Sequence, residues 1–207
     1  MKKLVLIGGG GHCKSVIDTV KRLKLYDEVV VTDPCFPALR EILGIRVVGN
    51  DDILADLKQS GFHEAFVTVG SIKNTKLRQE LYGKAYKIGF AFPNLIDPAA
   101  CISEYARLDE GIFIGKGVII NADAFVGKMA IVNTGAIIEH ECTVGSYSHI
   151  AVGTVLCGGV SIGNHTMVGA GTTIIQGISV GNHTIIGAGS TVLSDVGNHQ
   201  IVKGLVK

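Results

Sequence analysis

The residues in this chain best suited to moving protons are its seven histidines, one of which stands between two carboxylates. Imidazole titrates near neutrality and can take a proton from an attacking amine or hydroxyl. His140 lies in Ile138-Glu139-His140-Glu141-Cys142, where either glutamate is able to orient the ring. Adjacent strand residues point to opposite faces, so a direct contact between His140 and Glu141 requires the chain to bend there. On residue type alone, a general base and a structural histidine explain His140 equally well. His149 follows nine residues later. His165 and His183 occupy Ile-Gly-Asn-His-Thr and Val-Gly-Asn-His-Thr, eighteen residues apart, and read as stacked, solvated corners. His63 and His199 read as surface residues.

A second cluster is suited to an anion. Gly8-Gly9-Gly10-Gly11-His12 joins an apolar run, Leu4 to Ile7, to a segment with helical spacing at Val16, Ile17, Val20 and Leu23. Backbone amides and a helix N-terminus at such a junction favour a pyrophosphate. Cys13 stands where a full dinucleotide fingerprint has its third glycine, so NAD is a weak reading. Asp33, at the end of the next strand, Val29 to Thr32, could reach a ribose or base. Gly70, after the strand Ala65 to Val69, would allow close approach to the backbone. The plain alternative is that these glycines serve only tight turns. Asn50 is placed to cap a helix through Asp52 to Lys58, and Thr75 to Tyr86 reads as helical. The order predicts a small Rossmann-like α/β domain with a parallel sheet over residues 1–92.

From Ile96 onward every sixth residue is Ile, Leu or Val, without exception through Val192. Seven of these seventeen aliphatics are followed by glycine, as in Ile114-Gly115 and Val144-Gly145. Short strands with inward aliphatics, joined by corners where Gly and Asn tolerate unusual backbone angles, close a triangular coil every three repeats. Stacked coils then share one core. Residues 93–207 are therefore expected to form an all-β parallel β-helix, with the repeat ending near Gly197 and a short tail after it. Gly169-Ala170-Gly171 and Gly187-Ala188-Gly189 should stack on adjacent coils as a smooth strip. Such a strip could take a pantetheine arm or could simply ease the turns. Asn121 and Asn133 follow inward aliphatics and could satisfy corners or form ladders.

Composition narrows the function classes. Nineteen Lys and Arg against eighteen Asp and Glu leave a formal charge of +1, which disfavours nucleic acid as a partner. Twenty-eight glycines among abundant aliphatics indicate a repetitive packed fold rather than a disordered chain. Five cysteines without a C-x-x-C pair argue against a disulfide framework or zinc site and fit a reducing cytosol. No apolar stretch matches a signal-peptide core or a membrane span, so a cytoplasmic location is expected.

An α/β domain with G-x-G-G-H, followed by an uninterrupted β-helix with I-I-E-H-E-C, resembles the bacterial hexapeptide-repeat nucleotide-sugar and sialic acid acetyltransferase family over essentially the whole chain. That family includes UDP-4-amino-sugar N-acetyltransferases and sialic acid O-acetyltransferases. The resemblance implies a left-handed β-helix, a homotrimer with active sites at subunit interfaces, and acetyl-CoA as co-substrate without a metal. By position, His140 and Glu141 match the family's catalytic histidine and its assisting glutamate. His149, Ala170 and Ala188 match acetyl-CoA contacts. Gly10, Gly11, His12, Asp33 and Gly70 match nucleotide-sugar contacts, and Asn133 a position near the acceptor sugar. Pro34 departs from the frequent second acidic residue, and Val202-Lys203-Gly204-Leu205-Val206-Lys207 lacks the proline and alanine of the V-x-G-x-P-A element that helps relatives cover acetyl-CoA.

The expected activity is N-acetylation of a nucleotide-linked amino sugar, with O-acetylation of sialic acid or another sugar as the alternative. Two readings come from other classes. A metalloenzyme like the γ-type carbonic anhydrases would need a third histidine beside His140 and His149. A non-catalytic sugar-nucleotide-binding protein would need no base at all.

Overall fold

The computed structural model describes residues 1–36, 40–70 and 74–207. Contacts divide the chain into an N-terminal unit that runs to Leu95 and a second unit, Ile96–Lys207.

In the N-terminal unit, β1 (Lys3–Ile7) leads into α1 (Gly11–Leu23) and β2 (Glu28–Thr32). A hairpin of β3 (Glu41–Ile42) and β4 (Ile45–Gly49) follows, then a 3-10 turn at Asp51–Ile53, α2 (Leu54–Gln59), β5 (Glu64–Val67) and α3 (Lys76–Ile88). The sheet order is β3-β4-β2-β1-β5, parallel except for the hairpin. Leu4 to Ile7 are fully buried, as a central strand covered on both faces requires. The Asn50 carboxamide oxygen accepts from the Asp52 amide at 3.0 Å, the expected cap. The hairpin is not visible in the sequence pattern. Its turn residues, Leu43 and Gly44, both have positive φ (48° and 74°), and leucine at the first of them hides the usual turn signal.

The helix α1 starts at Gly11, five residues before the apolar pattern begins at Val16. Cys13 is wholly buried there, and burial pushes its thiol up to about 11, so it is a small packed side chain rather than a nucleophile.

The second unit is a parallel β-helix of two-residue strands on three faces. Face one runs from Leu95–Ile96 to Ile201–Val202, face two from Cys101–Ile102 to Leu205–Val206, and face three from Arg107–Leu108 to Ser179–Val180. Strands pair with those one coil away, as Ile119 with Ile137 and Ile137 with Val155. The repeated aliphatics from Ile114 to Val192 are buried, while Ile96, Ile102 and Leu108 in the first coil are partly covered. A second inward row, two residues earlier, was not read from the sequence. It holds small residues such as Ala124, Ala130, Ala136 and Cys142, and then Ser148, Thr154, Thr166, Thr172, Thr184 and Ser190. The buried hydroxyls are satisfied by corner carbonyls: Ser148 donates to Gly163 at 2.7 Å, Thr166 to Gly181 at 2.7 Å and Thr184 to Gly197 at 2.8 Å.

Corner backbone follows one rule. The third corner residue takes the left-handed conformation, at Glu141 (φ 61°), Tyr147 (59°), His165 (58°) and Gly171 (66°) alike. Glycine at the first corner position answers a different demand. A Cβ on Gly145 would lie 2.5 Å from the Asn164 amide nitrogen and the Gly163 carbonyl carbon of the next coil. Asparagine does not supply the left-handed corners; instead, Asn164 Oδ1 accepts from the Ser146 amide, Asn182 from Asn164 and Asn198 from Asn182, each at 2.7 Å.

One further sequence expectation is corrected. The chain after Gly197 is not a tail: Ile201 pairs with Ile185 and Leu205 with Thr191, so a shortened coil continues the stack. His165 and His183 stack at their corners as expected, and His199, at the surface as expected, joins them. Tyr147, His165, His183 and His199 form a stack with ring centroids 5.4, 4.7 and 5.0 Å apart.

Gly145→Ala should destabilise the protein by about 2 kcal/mol in chemical denaturation, because the new methyl meets backbone. Gly83→Ala, in a helix with open space around it, should be neutral or slightly stabilising. Burial and then the neighbouring His183 hold the His165 imidazole below the ordinary histidine value. Folding therefore favours the neutral ring. Its stabilising contribution is complete above the ordinary histidine pKa and is lost as pH falls from there through the lowered folded value. Melting temperature should drop by a few degrees between about pH 7.5 and about pH 5.5, and His165→Asn should flatten that drop. An identical pH dependence in the variant would remove the ladder as its source.

Candidate active site

Two clusters of chemically capable residues are built, one in each unit. In the N-terminal unit they gather at the C-terminal ends of β1, β2 and β5. Strand β1 is flanked by β2 and β5, so the crevice beside it is the switch point at which open α/β sheets hold ligands. Gly8 has φ 107°, and a Cβ there would strike Val69 Cγ2 at 2.6 Å, so only glycine fits. Gly9 is similarly hemmed in by Phe36 and Ile42, whereas Gly10 and Gly11 face open space. Gly70 lies beside His12, where a Cβ would sit 3.8 Å from that of His12.

Asp33 is committed to this loop. Its Oδ2 accepts from the Gly9 amide at 2.6 Å and its Oδ1 from the Cys35 amide at 2.7 Å. A carboxylate receiving two backbone amides fixes the loop on which an anion would rest and keeps lone pairs for a further donor. A cleft of about 370 Å³ opens here, lined by Gly9, Gly10 and Gly11 and by Lys14, Phe36 and Arg40. The Arg40 guanidinium lies 4.4 Å from the Phe36 ring centroid. These three side chains were missed in the sequence; the available signal was a lysine one turn into a helix that follows a glycine loop.

In the β-helix, His140 and Glu141 sit in the corner between faces two and three. The chain makes the required bend: Glu141 takes the left-handed conformation, and its Oε2 stands 3.0 Å from His140 Nδ1. The carboxylate only accepts, so Nδ1 carries the hydrogen and Nε2 of the neutral ring presents a lone pair. Glu139 turns back to accept from the His140 backbone amide at 3.3 Å. Both side chains of the pair are well exposed, at 60% and 70%.

His149, Asn133, Ala170 and Ala188 gather elsewhere, on face one and at its corner with face two. Asn133 Nδ2 approaches His149 Nε2 at 3.5 Å. In the small-residue strip, Gly169 is required because a Cβ would meet Ala188 nitrogen at 2.5 Å, while Gly171 and Gly189, at φ 66° and 68°, take the left-handed corner conformation that glycine adopts without strain. Corner stacking thus accounts for the glycines. It does not account for Ala170 and Ala188, which are exposed and whose amides find no acceptor among the described residues. A smooth strip with two amides left without an acceptor fits a pantetheine arm, whose amides need backbone partners. The single chain keeps this cluster and His140 on different edges of the helix.

Comparison with known proteins accords with this geometry. Residues 3–85 match the family described as PglD N-terminal domain; residues 117–146 match the hexapeptide repeat of succinyl-transferase, and residues 159–194 the bacterial transferase hexapeptide (six repeats). A histidine-to-asparagine variant of perosamine N-acetyltransferase from Caulobacter crescentus, solved with CoA and GDP-perosamine, is 38% identical. The match covers 99% of this chain and 94% of that one, with a TM-score of 0.90. The chain belongs to the bacterial hexapeptide-repeat nucleotide-sugar acetyltransferase family. The acetyltransferase domain of PglB from Neisseria gonorrhoeae, solved with acetyl coenzyme A, is 30% identical over 98% of this chain and 96% of that one, with a TM-score of 0.92. WeeI from Acinetobacter baumannii, at 18% identity and a TM-score of 0.70, shares the fold. As a member of this family the chain is an acetyltransferase with a Rossmann-like domain and a left-handed β-helix.

Asp33→Ala should free the Gly9 amide. Hydrogen exchange there should accelerate by about ten- to a hundredfold, the loss of one charge-assisted bond, and an unchanged rate would mean that the bond does not hold the loop in solution.

Proposed function

We propose that this acetyltransferase moves an acetyl group from acetyl-CoA to the amine of a nucleotide-linked amino sugar, with His140 as general base. The observation that carries the reading is the His140–Glu141 pair, whose Nδ1–Oε2 contact leaves Nε2 as the proton acceptor. The similarity to an enzyme solved with CoA and GDP-perosamine supports an amine acceptor on a nucleotide sugar.

Gly10, Gly11, His12, Asp33 and Gly70 would hold the nucleotide sugar, the first two through open backbone and Asp33 by fixing the loop. Asn133 would meet the acceptor sugar. His149, Ala170 and Ala188 would line the acetyl-CoA path, which supplies the activated thioester. His140 would draw the proton from the acceptor as it attacks. Glu141 would hold the ring in its working tautomer, and backbone amides would stabilise the negative charge that grows on the acyl oxygen.

The two β-helix clusters lie on different edges, so a site that uses both draws on two chains. A homotrimer supplies that arrangement. In support, accessible outward strand positions on faces one and two carry Met167, Ile185, Ile119, Ile137 and Val155 beside Thr173 and Thr191, whereas face three carries Thr143, Ser161 and Ser179 beside Phe125. Apolar outward rows on two faces are what a self-associating prism needs. A cytoplasmic location would give the enzyme access to acetyl-CoA.

His140→Ala should lower kcat by about a thousandfold in a thiol-release assay with acetyl-CoA and GDP-perosamine, a UDP-4-amino sugar or sialic acid as acceptor. Binding of the nucleotide sugar should persist. Normal turnover in the variant would remove His140 from the chemistry, and turnover with sialic acid alone would replace the amine by a hydroxyl.

A further inference from the structure

We infer that Gly158 is a positioning residue, because its missing side chain lets the His140 ring lie against the next coil while Nδ1 stays on Glu141. The three atoms nearest to a Cβ built on Gly158 all belong to that imidazole: Cε1 at 2.6 Å, Nε2 at 2.7 Å and Nδ1 at 3.3 Å. No real Cβ tolerates the first two distances, so a methyl group and the ring as placed exclude one another.

Nothing else requires glycine here. Gly158 is not among the residues with positive φ, unlike its neighbour Gly159 at 69°, so its backbone accepts any L-residue. Nor does the corner forbid a side chain. With the stride of the coils, the equivalent positions hold Ala122, Gln176 and Ser194. The clash also differs from that at Gly145 or Gly163, where the nearest atoms are backbone of the adjoining coil. At position 158 the obstacle is a side chain that can swing away. An alanine there should consequently leave the β-helix intact and move the ring.

Displacement of the ring breaks the Nδ1–Glu141 contact and carries Nε2 off its position. General-base catalysis depends on placement within a fraction of an ångström. The inference rests on the reading of His140 as the base, yet ring position can be measured independently of turnover.

The test is Gly158→Ala in the full-length protein, with His140→Ala and the double variant beside it. A crystal structure of Gly158→Ala should show the imidazole rotated away and Nδ1 beyond hydrogen-bond distance of Glu141. With the best acceptor of the thiol-release assay, kcat should fall about a hundredfold while KM for the nucleotide sugar stays within about twofold. Any lowering of the melting temperature by Gly158→Ala should vanish in the His140→Ala background, where the ring is gone. A ring that keeps its place and its bond in the Gly158→Ala crystal overturns the inference, as does an equal loss of melting temperature in both backgrounds. Normal turnover of His140→Ala would instead sink the base assignment and leave the ring displacement to be judged from the crystal.

Discussion

Close stacking of successive coils, one strand spacing apart, is the constraint on which the second unit depends. Parallel ladders on three faces bring corner backbone against corner backbone, at the distances that exclude a Cβ from Gly145, Gly163, Gly169 and Gly181. The same proximity lets a buried Ser or Thr hydroxyl of one coil reach the corner carbonyl of the next. Interior hydroxyls therefore cost little, and the core alternates branched aliphatics with small residues. Unsatisfied, each would cost a kilocalorie or more per mole, about as much as a methylene of core packing gains.

From that constraint follows the geometry of the proposed base. A triangular coil turns sharply three times, and from Gly111 to Gly189 each turn is closed by a left-handed third residue. In a regular strand His140 and Glu141 would diverge; at a corner the left-handed Glu141 swings its carboxylate back to the preceding ring. The bend that closes the coil is also the bend that makes the pair. Its local cost, about a kilocalorie per mole for a non-glycine residue, is met by the ladder bonds on either side.

The six-residue period made the β-helix legible, because every inward aliphatic is buried or half-buried as the pattern demands. The α/β order of the first unit was legible for the same reason, in strands such as Leu4 to Ile7 and the Asn50 cap. The β3–β4 hairpin was hidden because Leu43 performs a task usually left to Asn or Gly. The last coil was hidden because its strides fall short of eighteen residues and the period breaks. In the candidate site, residue types pointed to His140, Asp33 and the glycine loop. They gave no sign that Asp33 binds Gly9 or that Lys14, Phe36 and Arg40 line the same cleft. Those relations depend on how loops meet at strand ends, which no periodic signal records.

A repeat fold offers a physical means of telling structural histidines from chemical ones. Any residue on a coil faces the residue one coil on, so its column reveals what surrounds it. His165 is followed by His183 and then His199, and the rings stack, so each is occupied by its neighbours. His140 is followed by Gly158, whose absent side chain leaves the imidazole on bare backbone with Glu141 as its partner. A stacked histidine gains from repetition and is propagated along the ladder. A histidine that must present a lone pair to a substrate gains from isolation. The column Ala122, His140, Gly158, Gln176, Ser194 contains no second ring, and that isolation separates His140 from the ladder histidines that share its residue type.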